Sequence, residues 1–350
     1  MLGYYALFSR MEGDYEAAEK WYAQLLAHSA RYKLKVDRAR IIQEMAFCRE
    51  QREDFDGALN FLAQSGREIE KLKDSEKKYY AKLKFLFIGP FVIYNFGPDN
   101  AAFGGSKIFN PLNTRQKTLL NYSLYESVSR KTGNYAAAVR YLEKKLQVAK
   151  DGDYALYRET YNTTLMNLAE AHFRLGNYER CEQYLENAIA RFEEAGNVDG
   201  RFAALVNLSE LYCHLAENGG KQAADIERVE KRIASYRENY AKLRFEEKRA
   251  QAQEERKVKN RPALNESDLH TLRLQASEEA RQVYASLDLA TAILEMERAE
   301  LLLADGDPEG KTAAMYAASL ETVSDALGSS DLSPTARIRL MLNRALCLER

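Results

Sequence analysis

The sequence predicts an all-α protein, an array of antiparallel helix hairpins, and three observations carry that prediction. A short motif recurs as Gly13-Asp14-Tyr15 with Ala18, Glu53-Asp54-Phe55 with Ala58, Gly133-Asn134-Tyr135 with Ala138 and Gly176-Asn177-Tyr178 with Cys181, at spacings of 40, 80 and 43 residues. Amphipathic runs flank each copy, with apolar residues at three- and four-residue steps. The third observation is compositional: 350 residues contain only 6 Pro, which suits long helices because proline removes an amide donor.

Each motif reads as the turn between two helices. Glycine at the end of the first permits the left-handed backbone of a C-cap, and the Asn or Asp that follows can cap the second. The aromatic residue is expected to fill the space between the helices, and the small residue three further on to let them approach. Hairpins are therefore expected over 1–78 and 119–217, the last of them beginning at Ala204, where Asn207 and Leu208 repeat Asn167 and Leu168 40 residues on.

Residues 218–261 read as a long charged helix, with 13 basic against 8 acidic side chains between Lys221 and Arg261. Two readings stand for it: a solvated helix laced by i,i+4 ion pairs, or a partner-binding or coiled-coil arm. The span ends at Asn260, Pro262, Asn265 and Ser267, which form a credible break. Over 262–350 further helical repeats follow. Two helices are expected between Asp268 and the Asp305-Gly306-Asp307-Pro308 turn, another from Lys311 to Leu327, and a last one capped by Ser333. That last helix runs to Arg350 unpaired, so the array is expected to be a piece of something longer.

The pattern is clearest from Asn167 to Ala188, and there it resembles the tetratricopeptide repeat (TPR) family. The resemblance implies a right-handed superhelical solenoid of hairpins. Two features depart from the family: Ala169 and Ser209 replace its first-helix glycine, and the period is about 40 rather than 34 residues.

A degenerate repeat is expected over 79–118, where "KFLFIGPFVIYNFGPDNAAFGGSKIFNPL" begins at Lys84. This stretch is apolar and rich in Gly and Pro, and it reads either as a loop folded onto the solenoid or as a ligand or partner site exposing Phe91, Tyr94, Phe96 and Phe103.

In TPR proteins the first helix of each hairpin lines the concave face. By register this implies an inner surface that includes Ser127, Arg130, Asn167, Glu170, Arg174, Asn207, Glu210 and His214. Asn167 and Asn207 are candidate contacts to an extended peptide, since an amide both donates and accepts; the same Asn also belongs to the repeat's own structural pattern.

Composition narrows the function classes. With 51 Lys+Arg against 52 Asp+Glu no global field draws the chain to nucleic acid, and the excess base of 218–261 is interleaved with acid. His28, His172, His214 and His270 are scattered, as are Cys48, Cys181, Cys213 and Cys347, so no metal site, disulfide framework or catalytic pairing is signalled. No phosphate-binding glycine loop or nucleophile elbow occurs.

The expectation is a non-catalytic module without cofactor or metal that binds a protein or peptide on its concave face, within a larger signalling or scaffold protein. The alternative is the small-ligand-sensing region of a membrane-anchored bacterial regulator of the Bacteroidetes type. A chaperone-tail receptor is disfavoured because the Lys and Asn clamp of such domains is unmatched, and a nucleic-acid binder is disfavoured by charge. Membrane anchoring could come only from segments absent here. The compartment follows from that choice, cytoplasmic for a complete chain and periplasmic for a sensor fragment.

Overall fold

The computed structural model describes residues 2–32, 36–73, 114–150, 154–218, 220–304, 306, 311–327 and 341. Among them every regular element is an α-helix, and the chain divides into two compact units, 1–177 and 178–350. The Phe-rich insert with Phe91, Tyr94, Phe96 and Phe103, the helix expected from Ser333, and Cys347 lie outside the described residues.

The first unit holds α1 (Leu2–Met11), α2 (Tyr15–Arg31), α3 (Arg38–Gln51), α4 (Phe55–Lys73), α5 (Thr114–Lys131), α6 (Tyr135–Lys150) and α7 (Tyr154–Arg174). The expected turns are present, and one geometry serves all of them. Gly13, Gly133 and Gly176 have φ of +81°, +71° and +72°. Each donates its N–H to a carbonyl three residues back, and the next residue donates to one five residues back, as Asn177 does to His172 at 2.9 Å. This closes the orphan carbonyls at the helix end. The Asx residue then caps the next helix: Asp14 Oδ1 accepts from Ala17 N at 2.9 Å, Asp54 Oδ1 from Gly57 N at 2.9 Å and Asn134 Oδ1 from Ala137 N at 3.0 Å.

The small residue of the motif is the one that is fully enclosed. Ala18, Ala58 and Ala138 have no exposed surface, whereas Tyr15, Phe55 and Tyr135 are only half-buried. Close approach of the two helices is set by the missing side chain, and the aromatic ring lies over the seam; Tyr15 meets Phe47 edge-on at 6.1 Å. Tyr22, Ile41, Met45 and Cys48 form the apolar core beneath α1–α3, and Leu62, Leu120 and Leu124 continue it between α4 and α5.

The second unit holds α8 (Tyr178–Glu194), α9 (Val198–Glu217), α10 (Ala223–Val258), α11 (Glu266–Ala304) and α12 (Thr312–Leu327). A further turn of the same kind, not anticipated from the motif, joins α8 to α9: Gly196 has φ +63° and Asn197 Oδ1 accepts from Gly200 N at 2.8 Å. Gly200 is required by packing, because a Cβ there would lie 2.3 Å from Phe192 Cδ1.

The charged helix expected over 218–261 is α10, and it is amphipathic. Ile226, Val229, Ile233, Tyr236 and Tyr240 form its buried stripe, while Arg237 pairs with Asp288 and Arg244 with Glu279 on α11. It is thus one limb of an α10–α11 hairpin. Asn260, at φ +52°, makes the turn, and Arg256 Nη1 donates to the carbonyls of Pro262 and Ala263 at 3.1 and 3.0 Å. Where two helices were expected after Asp268, the structure has the single 39-residue α11. Its sequence from Glu266 to Ala304 contains neither Gly nor Pro, so nothing interrupts the ladder.

Candidate partner-binding surface

The first helices of successive hairpins in the first unit are α1, α3, α5 and α7, and polar rungs join each to the next. Arg10 Nη1 of α1 lies 2.7 Å from Glu44 Oε2 of α3, and Arg40 pairs with the same carboxylate. Glu50 of α3 accepts from Ser127 Oγ at 2.6 Å and pairs with Lys131 Nζ of α5 at 2.9 Å. Between α5 and α7, Arg130 bridges Glu126 at 3.1 Å and Glu170 at 2.6 Å, and Asn167 Nδ2 donates to Glu126 at 3.4 Å.

A charge taken from water needs a partner with good geometry, and the rungs supply one. Glu44, Glu50 and Glu126 are buried but each is met by cations or hydroxyl donors. Behind them, Lys145 of α6 is buried, and desolvation pulls its ammonium below the ordinary lysine value while Glu126 opposes the shift.

A second buried pair anchors the same helices from the other side. Lys117 Nζ of α5, with 0% side-chain exposure, lies 2.7 Å from Asp37 Oδ2, and Asp37 Oδ1 caps α3 at Arg40 N. Gln43 Nε2 donates to the Lys117 carbonyl at 2.9 Å. α3 and α5 are therefore joined through their ends and their middles.

The expected site residues fall into three sets. Arg130, Asn167 and Glu170 are brought together in one rung of the first unit, and Arg174 is exposed at the end of α7. Asn207 and Glu210 are exposed on α9 of the second unit, where His214 Nε2 lies 2.7 Å from Tyr178 Oη. Phe91, Tyr94, Phe96 and Phe103 form the third set, outside the described residues. His172, expected as a packing residue, is buried.

The acceptors of the rungs, Glu44, Glu50 and Glu126, and the Lys117–Asp37 pair were not anticipated. Their partners are far apart in sequence, as Arg10 and Glu44 or Glu50 and Lys131 are, so no local pattern marks the rungs.

Other chemistry is limited by burial. Cys48 and Cys181 are buried free thiols, and desolvation pushes each up to about 12, far from the thiolate that nucleophilic or metal chemistry uses. Among the described residues no group of three or more His, Cys, Asp or Glu side chains is placed to hold a metal ion. No helix among them is long and apolar enough to cross a membrane.

Hairpins with one turn geometry, stapled through their first helices, define a helical-repeat protein. Residues 160–218 match the tetratricopeptide repeat model. No curated protein matches it in sequence. Among solved structures it is similar to the apo form of RapI, at 12% identity and a TM-score of 0.44, over 92% of this chain and 96% of that one. It is also similar to a signal transduction ATPase with numerous domains carrying a tetratricopeptide repeat sensor, from Pyrococcus horikoshii, at 13% identity and a TM-score of 0.48. That match covers 99% of this chain and 41% of the ATPase, so the chain spans about two fifths of its length.

Proposed function

We propose that the chain binds another polypeptide on the concave face formed by its first helices, without carrying out chemistry on it, as a module of a larger signalling or scaffold protein. The observation that carries this reading is a repeated polar register on preordered helices. Asn167, Glu170 and Arg174 of α7 recur 40 residues on as Asn207, Glu210 and His214 of α9, and the latter Asn and Glu are exposed. Helices fixed in advance lose little entropy when a ligand binds, and amide and carboxylate groups set the register of an extended backbone. The apolar insert with Phe91, Tyr94, Phe96 and Phe103 supplies the contact area in this reading.

The test is a pull-down from the source organism's lysate with the parent chain beside an Asn167→Ala, Asn207→Ala, Phe96→Ala variant of equal helicity by circular dichroism. A polypeptide held by the parent and lost by the variant supports the assignment. No polypeptide held by the parent, or one held equally by both, contradicts it.

A further inference from the structure

The second unit contains a cavity of about 520 Å³. Arg201 and Leu205 of α9 line it, together with Arg228, Lys231, Arg232 and Ser235 of α10. On α9, Arg201 and Leu205 stand roughly half a turn around the helix from Asn207, Glu210 and His214. The cavity is therefore separate from the Asn207, Glu210 and His214 face of α9, and its volume is that of a small-molecule site.

Its charge is lopsided. Four cationic side chains line it against one carboxylate, Glu227. Three of the cations have carboxylate partners: Arg232 forks onto Glu186 at 2.7 and 3.1 Å, Lys231 reaches Glu227 at 2.6 Å and Arg201 reaches Glu193 at 3.0 Å. These acids are substantially exposed, Glu193 at 58% and Glu227 at 44%, so each pair is weak and exchangeable.

Arg228 differs from the other three. Its Nη2 donates to the Tyr212 hydroxyl at 2.7 Å, that hydroxyl donates to Glu182 at 2.5 Å, and no carboxylate among the described residues comes within 4.0 Å of the guanidinium. Lys221 stacks on the Tyr212 ring at 4.5 Å and pairs with Glu182 at 3.0 Å, which fixes the phenol. Arg228 is thus held in place by a neutral oxygen, with Glu182 and Asp225 nearby but neither in ion-pair contact with it. Arg201 is likewise seated over the Tyr236 ring, 5.1 Å from its centre.

We propose that this cavity binds a small, multiply charged oxyanion of the phosphate-ester class. Cations converging from two helices present guanidinium forks and an ammonium from several directions, which suits a tetrahedral anion. With those three ion pairs counted, Arg228 is the excess cation, and a multiply charged anion gains further by displacing the exposed acids Glu186, Glu193 and Glu227 from their partners. The inference is independent of polypeptide binding, and its test involves none.

Pyrophosphate is titrated calorimetrically into the full chain. Saturable binding of one equivalent is expected, weakened tenfold or more by Arg228→Gln with Lys231→Gln, and unchanged by Lys20→Gln, an exposed cation of the first unit. Should the double variant lose helicity, Lys231→Gln alone carries the test, since that side chain is 74% exposed and a severalfold loss is expected from it. The proposal is overturned by the absence of saturable binding at millimolar pyrophosphate, by equal binding to the cavity variant, or by an equal loss in Lys20→Gln. Citrate binding as tightly as pyrophosphate overturns the phosphate class.

Discussion

Glu53 holds a left-handed backbone, φ +60°, at the register where Gly13, Gly133 and Gly176 stand in the other turns. Its turn makes the same two hydrogen bonds, Glu53 N to Glu50 O at 3.1 Å and Asp54 N to Arg49 O at 2.9 Å, so the cost falls on the side chain alone. Glu53→Gly is expected to stabilise the chain by about 1 kcal/mol, read as a higher urea midpoint at unchanged slope. Gly200 shows the converse case. With Phe192 Cδ1 at 2.3 Å from the place of a Cβ, Gly200→Ala should cost about 1–3 kcal/mol in the same measurement.

At the scale of helices, Lys117 and Asp37 are each worth less as a pair than either would cost alone. Lys117→Met leaves the Asp37 carboxylate, 6% exposed, without its cation, and a loss of about 3–5 kcal/mol is expected by chemical denaturation. The α10–α11 hairpin carries a different liability. Glu230 and Glu295 share one nearby cation, Arg298, which lies 2.9 Å from Glu230, and each of the two acids keeps a buried oxygen without a hydrogen-bond partner.

Burial, opposed by Arg298, pushes Glu230 up to about 7 from an ordinary 4.5. As pH rises from about 4.5 the unfolded chain gives up its proton first, so the folded state is progressively destabilised until about pH 7, where the loss levels off. Glu230→Gln should therefore raise the melting temperature at pH 8, by the equivalent of roughly 1–3 kcal/mol, and leave it nearly unchanged at pH 4.

Those two scales also show what the sequence discloses. The turns were legible because a left-handed residue followed by Asn or Asp has few other uses, and α11 was misdivided because amphipathic periodicity alone places no boundary without Gly or Pro. The Gly196-Asn197 turn escaped notice because Val198 stands where the motif has an aromatic. The rungs were hidden for another reason: Arg130 and Glu170 are 40 residues apart, and pairing them requires knowing that α5 and α7 lie side by side.

For the whole molecule, we propose two surfaces with two ligand chemistries: a polypeptide on the first-helix face and a phosphate-type anion in the basic cavity. Polypeptide binding is proposed from the 40-residue register of Asn167, Glu170 and Arg174 with Asn207, Glu210 and His214. The measurement that tests it most directly places a photo-crosslinking side chain at Glu210, exposed on first helix α9, and separately at Gln183, exposed on second helix α8. Irradiation in the source organism's lysate is predicted to give a discrete polypeptide adduct from position 210 and none from 183. Adducts from neither position, or the same adduct from both, would contradict a partner seated on the first helices.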